Sequence, residues 1–193
     1  SFDGKNDGLV FDKVSHMDNA DAFSVAFWFK RNSEMLGIPT NHQIDNLMLA
    51  QSSSYDNDNI EIGSEGNEIE VYLDSGDGVQ DARYATTGAN ISNGVWHHVV
   101  MAYGNGLKLY VDGVERLSQT PFDGPIESSR DSPLSLGMGR IFSDQWGDFN
   151  GSIDDFRIYD IEVNATQAVA IYNGGNGDFG GSTTTAYISD RIH

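Results

Sequence analysis

The chain has no cysteine, no long hydrophobic run and few positively charged residues, and each shortage excludes a class of protein. Its 193 residues include no Cys, and 11 Lys plus Arg stand against 29 Asp plus Glu. Without cysteine there is no disulfide, no cysteine-ligated zinc or iron–sulfur cluster and no thiol nucleophile. Any crosslink that stabilises the fold would therefore be a metal ion held by oxygen ligands.

The formal net charge of −18 bears on the choice of partners. Such a surplus repels nucleic-acid phosphates and anionic lipid headgroups, so we expect no nucleic-acid partner and no membrane insertion. Composition leaves two interpretations open, a solvated acidic surface or carboxylates that surround divalent cations.

No apolar run approaches the roughly 20 residues of a transmembrane helix. The first residues, SFDGKNDGLVF, lack the basic start and apolar core of a signal peptide. We therefore interpret the sequence as one module of a larger, multidomain chain, itself monomeric.

Alternating apolar and polar residues predict a protein built from strands. In AFSVAFWFK, residues 22–30, the side chains of Phe23, Val25, Phe27 and Phe29 share one face. Asp112-Gly113 predicts a hairpin turn, and NATQAVAIYNGG predicts the one helix, capped by Asn164. The regular spacing of short strands predicts an all-β, antiparallel two-sheet jelly-roll sandwich with one short C-terminal helix. We assign residues 1–173 to this domain and 174–193 to a Gly- and Ser/Thr-rich tail or linker.

The adjacent His97 and His98 raise the question of a catalytic or metal site. Neighbouring residues of a strand point to opposite faces of the sheet, so these two cannot ligate one metal or form one acid–base pair without a bulge. We interpret both as framework residues with hydrogen-bonded rings, and Trp96 before them as a core residue.

Three segments together resemble the laminin G-like, concanavalin A-like jelly-roll domains, including the pentraxin-type branch. These segments are GVWHHVVMAYGNGLKLYVDGVE, PLSLGMG and FNGSIDDFRIYDIEVNATQAVAIYN, in that order along the chain. The resemblance covers about residues 1–173 and implies the jelly-roll fold, a binding role rather than catalysis, and framework roles for His97 and His98.

Carboxylate and amide oxygens are the ligands that calcium takes, and two stretches are rich in them. The candidates are Asp56, Asn57, Asp58 and Asn59 in the first stretch, and Asp144, Gln145 and Asp148 in the second. The pentraxin resemblance implies that loops at these two places hold a calcium ion together, although the contiguous Glu-Gln-Asp of that branch is absent. The alternative is that these are solvated turn residues.

The resemblance also implies a second calcium ion that ties the first strand to the last. The available carboxylates are Asp3 or Asp7 near the start and Asp154 or Asp155 in SIDDF. An ion there would stabilise the domain by binding only its folded state. Asp-Gly turns explain Asp3 and Asp7 equally well.

A sugar is commonly held by an aromatic face with polar groups around it, which Trp146 beside Asp144, Gln145 and Asp148 offers. Tyr55 is the second aromatic candidate, and Arg140 is a candidate for binding a ligand carboxylate. We therefore predict a calcium-dependent glycan-binding module, a lectin, within a secreted or cell-surface adhesin.

Two other functions stay open. The first is calcium-dependent binding of a protein or peptide, as the animal members of the family do. The second is a glycoside hydrolase or polysaccharide lyase, for which IEIGSEGNEIE is the nearest match to a carboxylate pattern on one strand. Gly63 stands where the middle carboxylate between Glu61 and Glu65 is needed, so we expect no enzymatic activity.

Overall fold

The structure is a computed structural model that describes residues 1–5, 7–11, 14, 17, 20–34, 44–52, 58–74, 81–119, 126, 133–138 and 148–174. Twelve β-strands and one α-helix form the secondary structure of these residues. The elements are β1 (Phe2–Asp3), β2 (Leu9–Phe11), β3 (Phe23–Arg31), β4 (Leu49–Ser52), β5 (Asp58–Glu65), β6 (Glu68–Asp74), β7 (Asp81–Ala85), β8 (Trp96–Gly104), β9 (Gly106–Val111), β10 (Val114–Gln119), β11 (Leu134–Leu136), β12 (Asn150–Tyr159) and α1 (Ala165–Tyr172).

The strands form two six-stranded antiparallel sheets, which confirms the predicted jelly-roll sandwich. Sheet A has the order β1-β12-β3-β8-β9-β10, and sheet B has the order β2-β11-β4-β5-β6-β7. Outside the strands, one isolated parallel bridge joins Leu47 to Asp148. In the part of the chain that the structure describes, no helix is long and apolar enough to cross a membrane.

The alternation predicted for β3 is the alternation that builds the core. Phe23, Val25, Phe27 and Phe29 are fully buried between the sheets, against residues such as Ile62 of sheet B. The side chains between them, including Trp28 and Lys30, lie on the outer face of sheet A. Burial of the apolar face therefore determines which way the strand faces.

The histidine pair is framework, as predicted, and Asp112 holds it in place. The Asp112 carboxylate lies 2.8 Å from Nδ1 of His97 and accepts the backbone N–H of His98 at 2.8 Å. The remaining ring nitrogen of His97 accepts the backbone N–H of Ser92 at 3.2 Å. With both ring nitrogens engaged, His97 has no free nitrogen for a metal or a substrate.

His98 points to the opposite face, where its ring packs 5.1 Å from that of Trp28. Burial lowers the pKa of His98 to about 4, so the ring is neutral at physiological pH. The prediction for Trp96 was wrong, because its side chain is 41% exposed. Trp96 begins β8 on the outer face, where the Lys30 ammonium lies 5.3 Å from its ring centroid.

Helix α1 begins as the sequence predicts. The side chain of Asn164 accepts the backbone N–H of Gln167 at 3.0 Å, and the Gln167 side chain accepts the backbone N–H of Asn164 at 2.8 Å. Ala168 and Ile171 pack on the outer face of sheet A. Tyr172 ends the helix and stacks on Trp28 at 5.5 Å, so the helix covers part of the outer face of sheet A.

The carboxylate of Glu68 holds the turn that follows β7. It accepts the Thr86 hydroxyl at 2.7 Å and the backbone N–H groups of Gly88 and Ala89 at 2.8 and 3.0 Å. Burial alone would raise the pKa of Glu68, but these hydrogen bonds outweigh burial and lower it. The charged carboxylate therefore stabilises the fold.

Glu68→Gln is expected to lower the free energy of unfolding at pH 7 by about 1 kcal/mol, since the side chain is only partly buried. The folded-state pKa lies below the unfolded one, so the contribution is present above the unfolded pKa and is lost as pH falls through the folded pKa. Urea unfolding at pH 7 and pH 3 measures this, and an equal loss at both would contradict it.

Candidate functional site

Charged side chains gather on the outer face of sheet B. Glu61, Tyr72 and Arg83 lie side by side on three neighbouring strands, and Gly63 lies opposite Glu70 in the next row. Along each strand these residues alternate with apolar residues that point into the core. The side chains of Glu61, Glu70, Tyr72 and Arg83 therefore point away from the core.

Arg83 joins two of the carboxylates. Its Nη2 donates to Glu65 Oε2 at 2.5 Å and to Glu70 Oε1. The side chain of Glu65 is 54% exposed, whereas that of Glu70 is 6% exposed. Burial raises the pKa of Glu70 and outweighs the opposing effect of Arg83. Sheet B therefore holds a buried carboxyl group beside an exposed one.

Asp45 belongs to the same group of charges. Burial raises the pKa of Asp45, and the charges of Glu65 and Glu34 raise it further, against the opposing effect of Arg83. The carboxylates are therefore near enough to repel one another. We refer to Asp45, Glu61, Glu65, Glu70 and Arg83 together as the acidic face.

The segment from Ile44 to Met48 lies across this face at Gly63. A Cβ atom on Gly63 would lie 2.3 Å from the backbone oxygen of Asp45 and 2.4 Å from Cγ2 of Ile44. The backbone N–H of Ser64 donates to that Asp45 oxygen at 3.0 Å. Main chain thus occupies the place of the middle carboxylate in the hydrolase pattern, which explains its absence between Glu61 and Glu65.

Asp148 and Asp58, two of the predicted calcium ligands, lie at opposite ends of β4. Asp148 is buried and bridges to Leu47, and Asp58 pairs with Ser52. Leu47 and Ser52 are five positions apart along the extended chain, a distance of about 17 Å. The structure therefore does not bring Asp148 and Asp58 together.

The other predicted residues of these two stretches fall outside the described residues, except Asn59, which lies beside Asp58 in β5. Those outside are Tyr55, Asp56, Asn57, Arg140, Asp144, Gln145 and Trp146. Their roles stay predictions.

Asp3 and Asp154, two of the carboxylates predicted to tie the first strand to the last, are also apart. Asp3 pairs with Asn150, and Asp154 lies four residues further along β12, about 13 Å away. Asp3 and Asp7 bond within their own turn, where the backbone N–H of Asp3 donates to the Asp7 carboxylate at 3.2 Å. Backbone pairing of β1 with β12 joins the two ends of the domain.

Asp155, the last of those candidates, is engaged by Arg157. The guanidinium donates to both carboxylate oxygens of Asp155, at 2.8 and 2.6 Å. Among the residues that the structure describes, no group of three or more His, Asp or Glu side chains is arranged to hold a metal ion. The calcium prediction stays a prediction, and most of its candidate ligands fall in residues 53–57 and 139–147, outside the described part of the chain.

Sequence reasoning missed Asp45, Glu70 and Arg83 as members of a site. Alternation in EIEVYLD, residues 68–74, puts Glu70 on the face opposite Ile69, Val71 and Leu73, which are core residues in the structure. An outward glutamate normally indicates a solvated surface, yet Glu70 is buried. No local signal in the sequence marks the segment that crosses this face.

Comparison with known proteins places the chain among jelly-roll domains. The family model described as the concanavalin A-like lectin/glucanases superfamily, Laminin_G_3, matches residues 3–169. No curated protein matches the sequence.

Three solved structures show the same fold. Domain 4 of AbnA, a GH43 extracellular arabinanase from Geobacillus stearothermophilus, in complex with arabinotriose, has a TM-score of 0.60 and 21% identity, with 86% of this chain and 72% of that chain covered. The CBM40 of Ruminococcus gnavus IT-sialidase, bound to α2,3-sialyllactose, has a TM-score of 0.64 and 15% identity, covering 88% and 96%. The SAP-like pentraxin of Limulus polyphemus has a TM-score of 0.64 and 15% identity, covering 89% and 80%.

Proposed function

Because the chain belongs to the concanavalin A-like lectin/glucanases superfamily, we propose that it is a calcium-dependent carbohydrate-binding module of a larger secreted or cell-surface adhesin. Two proteins of similar fold are described with bound arabinotriose and sialyllactose, and the first belongs to an extracellular enzyme. These likenesses support a binding role on this fold, and the choice of residues rests on the geometry of sheet B.

The observation that carries the proposal is the position of the acidic face. Residues 138 and 148 bound the segment in which we predict ligand contacts, and both ends join the sheet beside this face. Gly137 donates its backbone N–H to Met48 at 2.9 Å, and Asp148 bridges to Leu47, two residues after Asp45. Both ends of the segment that contains the proposed ligand contacts are therefore fixed beside β4, next to Asp45.

We propose that Trp146 stacks on a sugar ring, with Asp144 and Gln145 bonding its hydroxyls. Asp144 and Asp148 would be ligands of one calcium ion. Because Asp148 and Asp58 lie at opposite ends of β4, the oxygens of residues 56–59 would serve a separate ion. Tyr55 and Arg140 are further proposed ligand contacts.

A glycan-array screen in calcium, repeated in chelator, tests this function. We expect binding to a coherent class of sugars that is lost in chelator and in Asp144→Ala and Trp146→Ala, while both variants keep the melting temperature of the unmodified chain. The loss follows from removing one calcium ligand or the stacking surface. Binding that persists in chelator would refute the calcium requirement, and the absence of binding to any glycan would refute the function.

The same screen with a peptide library examines the second binding function, recognition of a protein or peptide. What supports binding over catalysis is the main chain that fills the position above Gly63. A carboxylate there would complete the single-strand hydrolase pattern with Glu61 and Glu65, and the crossing segment leaves no room for it. Release of reducing sugar from an array ligand would contradict this assignment.

A further inference from the structure

We propose that helix α1 is a pH-dependent lid on the outer face of sheet A, held closed while His98 beneath it is neutral and released in acid. His98 is 1% exposed. Its ring forms a cluster with two aromatic side chains, 5.1 Å from Trp28 of β3 and 6.0 Å from Tyr172 of the helix. The end of the helix therefore covers the imidazole.

The surroundings of the His98 ring suit a neutral imidazole and not a charged one. Its Nδ1 is buried, and no described residue forms a hydrogen bond with it. An imidazolium carries an N–H on both ring nitrogens, so the charged form would bury an N–H without an acceptor as well as a charge. Helix α1, with the sequence ATQAVAIY, contains no charged residue that could offset that charge.

The charged groups around His98 do not compensate for its burial. Burial lowers the pKa of His98 to about 4, against the opposing effect of Asp112 and Asp155, and the charge of Arg157 lowers it further. Neither carboxylate is free, because Asp112 bonds to the ring of His97 and Asp155 to Arg157. Further titratable groups lie on this side of the neighbouring elements: Lys30 of β3, Tyr110 of β9, Asp154 of β12 and Tyr172 of α1.

The chain before the helix is fastened to sheet A, so the helix can open as a unit. The Ser24 hydroxyl donates to the backbone oxygen of Ile161 at 2.7 Å and accepts the backbone N–H of Val163 at 2.8 Å. The helix itself has eight residues, too few for a stable isolated helix in water, so it depends on packing against sheet A. The hinge of the lid therefore lies at Asn164.

The open and closed positions of the helix bind the His98 proton with different affinity, which sets the direction of the pH effect. Under the helix the pKa of His98 is about 4, and in solvent it is the ordinary histidine value of about 6.5. The closed position is therefore favoured at neutral pH, loses stability as the pH falls below the exposed value, and loses no more below the covered value. Between pH 7 and pH 5 the ratio of open to closed helix should rise about twentyfold.

Amide hydrogen exchange of the full chain at pH 5, 6 and 7 tests the proposal. After correction for the intrinsic exchange rate, the protection of amides 168–172 should fall about twentyfold from pH 7 to pH 5. These amides should also be less protected than those of β3 and β8, because the helix opens while the sheets stay folded. An NMR titration of the His98 ring in the same samples should give a midpoint well below about 6.5.

Three variants assign the effect to His98 and its cover. His98→Gln keeps a neutral polar side chain that cannot titrate, so the fall in protection between pH 7 and pH 5 should disappear. His193→Gln is the matched control, since it also removes one histidine but leaves His98 in place, and it should keep the fall. Tyr172→Ala removes the ring that covers His98, so the NMR midpoint of His98 should move toward about 6.5.

Protection of the helix that stays constant from pH 7 to pH 5, or that falls equally in His98→Gln, would overturn the proposal. Protection equal to that of β3 at every pH would also overturn it, because the helix would then open only when the whole domain unfolds. If His98→Gln does not fold, an NMR midpoint that Tyr172→Ala leaves unchanged would overturn it. The lid is independent of the proposed function, since the absence of glycan binding on the array would refute that function and leave these results in place.

Discussion

Arg31→Ala is expected to lower the free energy of unfolding by about 3 to 5 kcal/mol. Arg31 ends β3 of sheet A, is 3% exposed, and donates three hydrogen bonds. Its Nε donates to the Asn93 side chain at 2.7 Å, its Nη1 to the Ser64 hydroxyl at 3.1 Å, and its Nη2 to the backbone oxygen of Gly66 at 2.7 Å. Alanine would leave three acceptors without their donor and open a void between the two sheets.

The matched variants for Arg31 separate charge from geometry. Arg31→Lys keeps the positive charge but lacks the planar fork, so it should recover only part of the loss. Lys5→Ala removes an exposed cation and should change the stability by less than about 0.5 kcal/mol. Denaturant unfolding followed by tryptophan fluorescence measures all three. A loss in Arg31→Ala no larger than that in Lys5→Ala would show that Arg31 does not join the sheets energetically.

Gly63→Ala should lower the free energy of unfolding by about 3 kcal/mol, because the added methyl group meets main chain. The backbone oxygen of Asp45 lies 2.3 Å from the position of the new Cβ, and a backbone atom cannot rotate away as a side-chain end can. The segment from Ile44 to Met48 would have to shift off sheet B. The same shift would displace Asp45 from the acidic face.

Gly66→Ala is the control for Gly63→Ala, since the two glycines lie three residues apart and differ in the cause of strain. Gly66 has a φ of +59° and nothing within 4 Å of its added Cβ, so alanine there costs only the left-handed conformation, about 1 kcal/mol. Denaturant unfolding of both variants isolates the crowding at Gly63. Equal losses would mean that the crossing segment yields easily.

Much of the fold was predictable because its signals are local. The alternation over residues 23–30 specifies which side chains enter the core. Asp112-Gly113 adopts the positive φ angles that a two-residue hairpin requires, 51° and 75°. The Asn164 cap and its partner Gln167 are three residues apart in sequence. Each of these interactions forms between near neighbours, so the sequence contains both partners in one short window.

The candidate site was less predictable because its members meet only across the fold. Asp45, Glu70 and Arg83 come from three different parts of the chain, and the pairing of β5, β6 and β7 sets them side by side. The burial of Glu70 has no counterpart in its own strand. Trp96 was placed in the core from its residue type, whereas its position at the start of β8 on the outer face leaves it 41% exposed.

The sequence by itself therefore determined the class of the fold, the strands and turns, the framework role of His97 and His98, and the excess of negative charge. These follow from side-chain alternation, turn geometry and composition. Only the tertiary structure decided which carboxylates share a face and that Asp3 and Asp154 lie apart. The physical reason is that strand register and the crossing of the segment from Ile44 to Met48 depend on packing between residues distant in the chain.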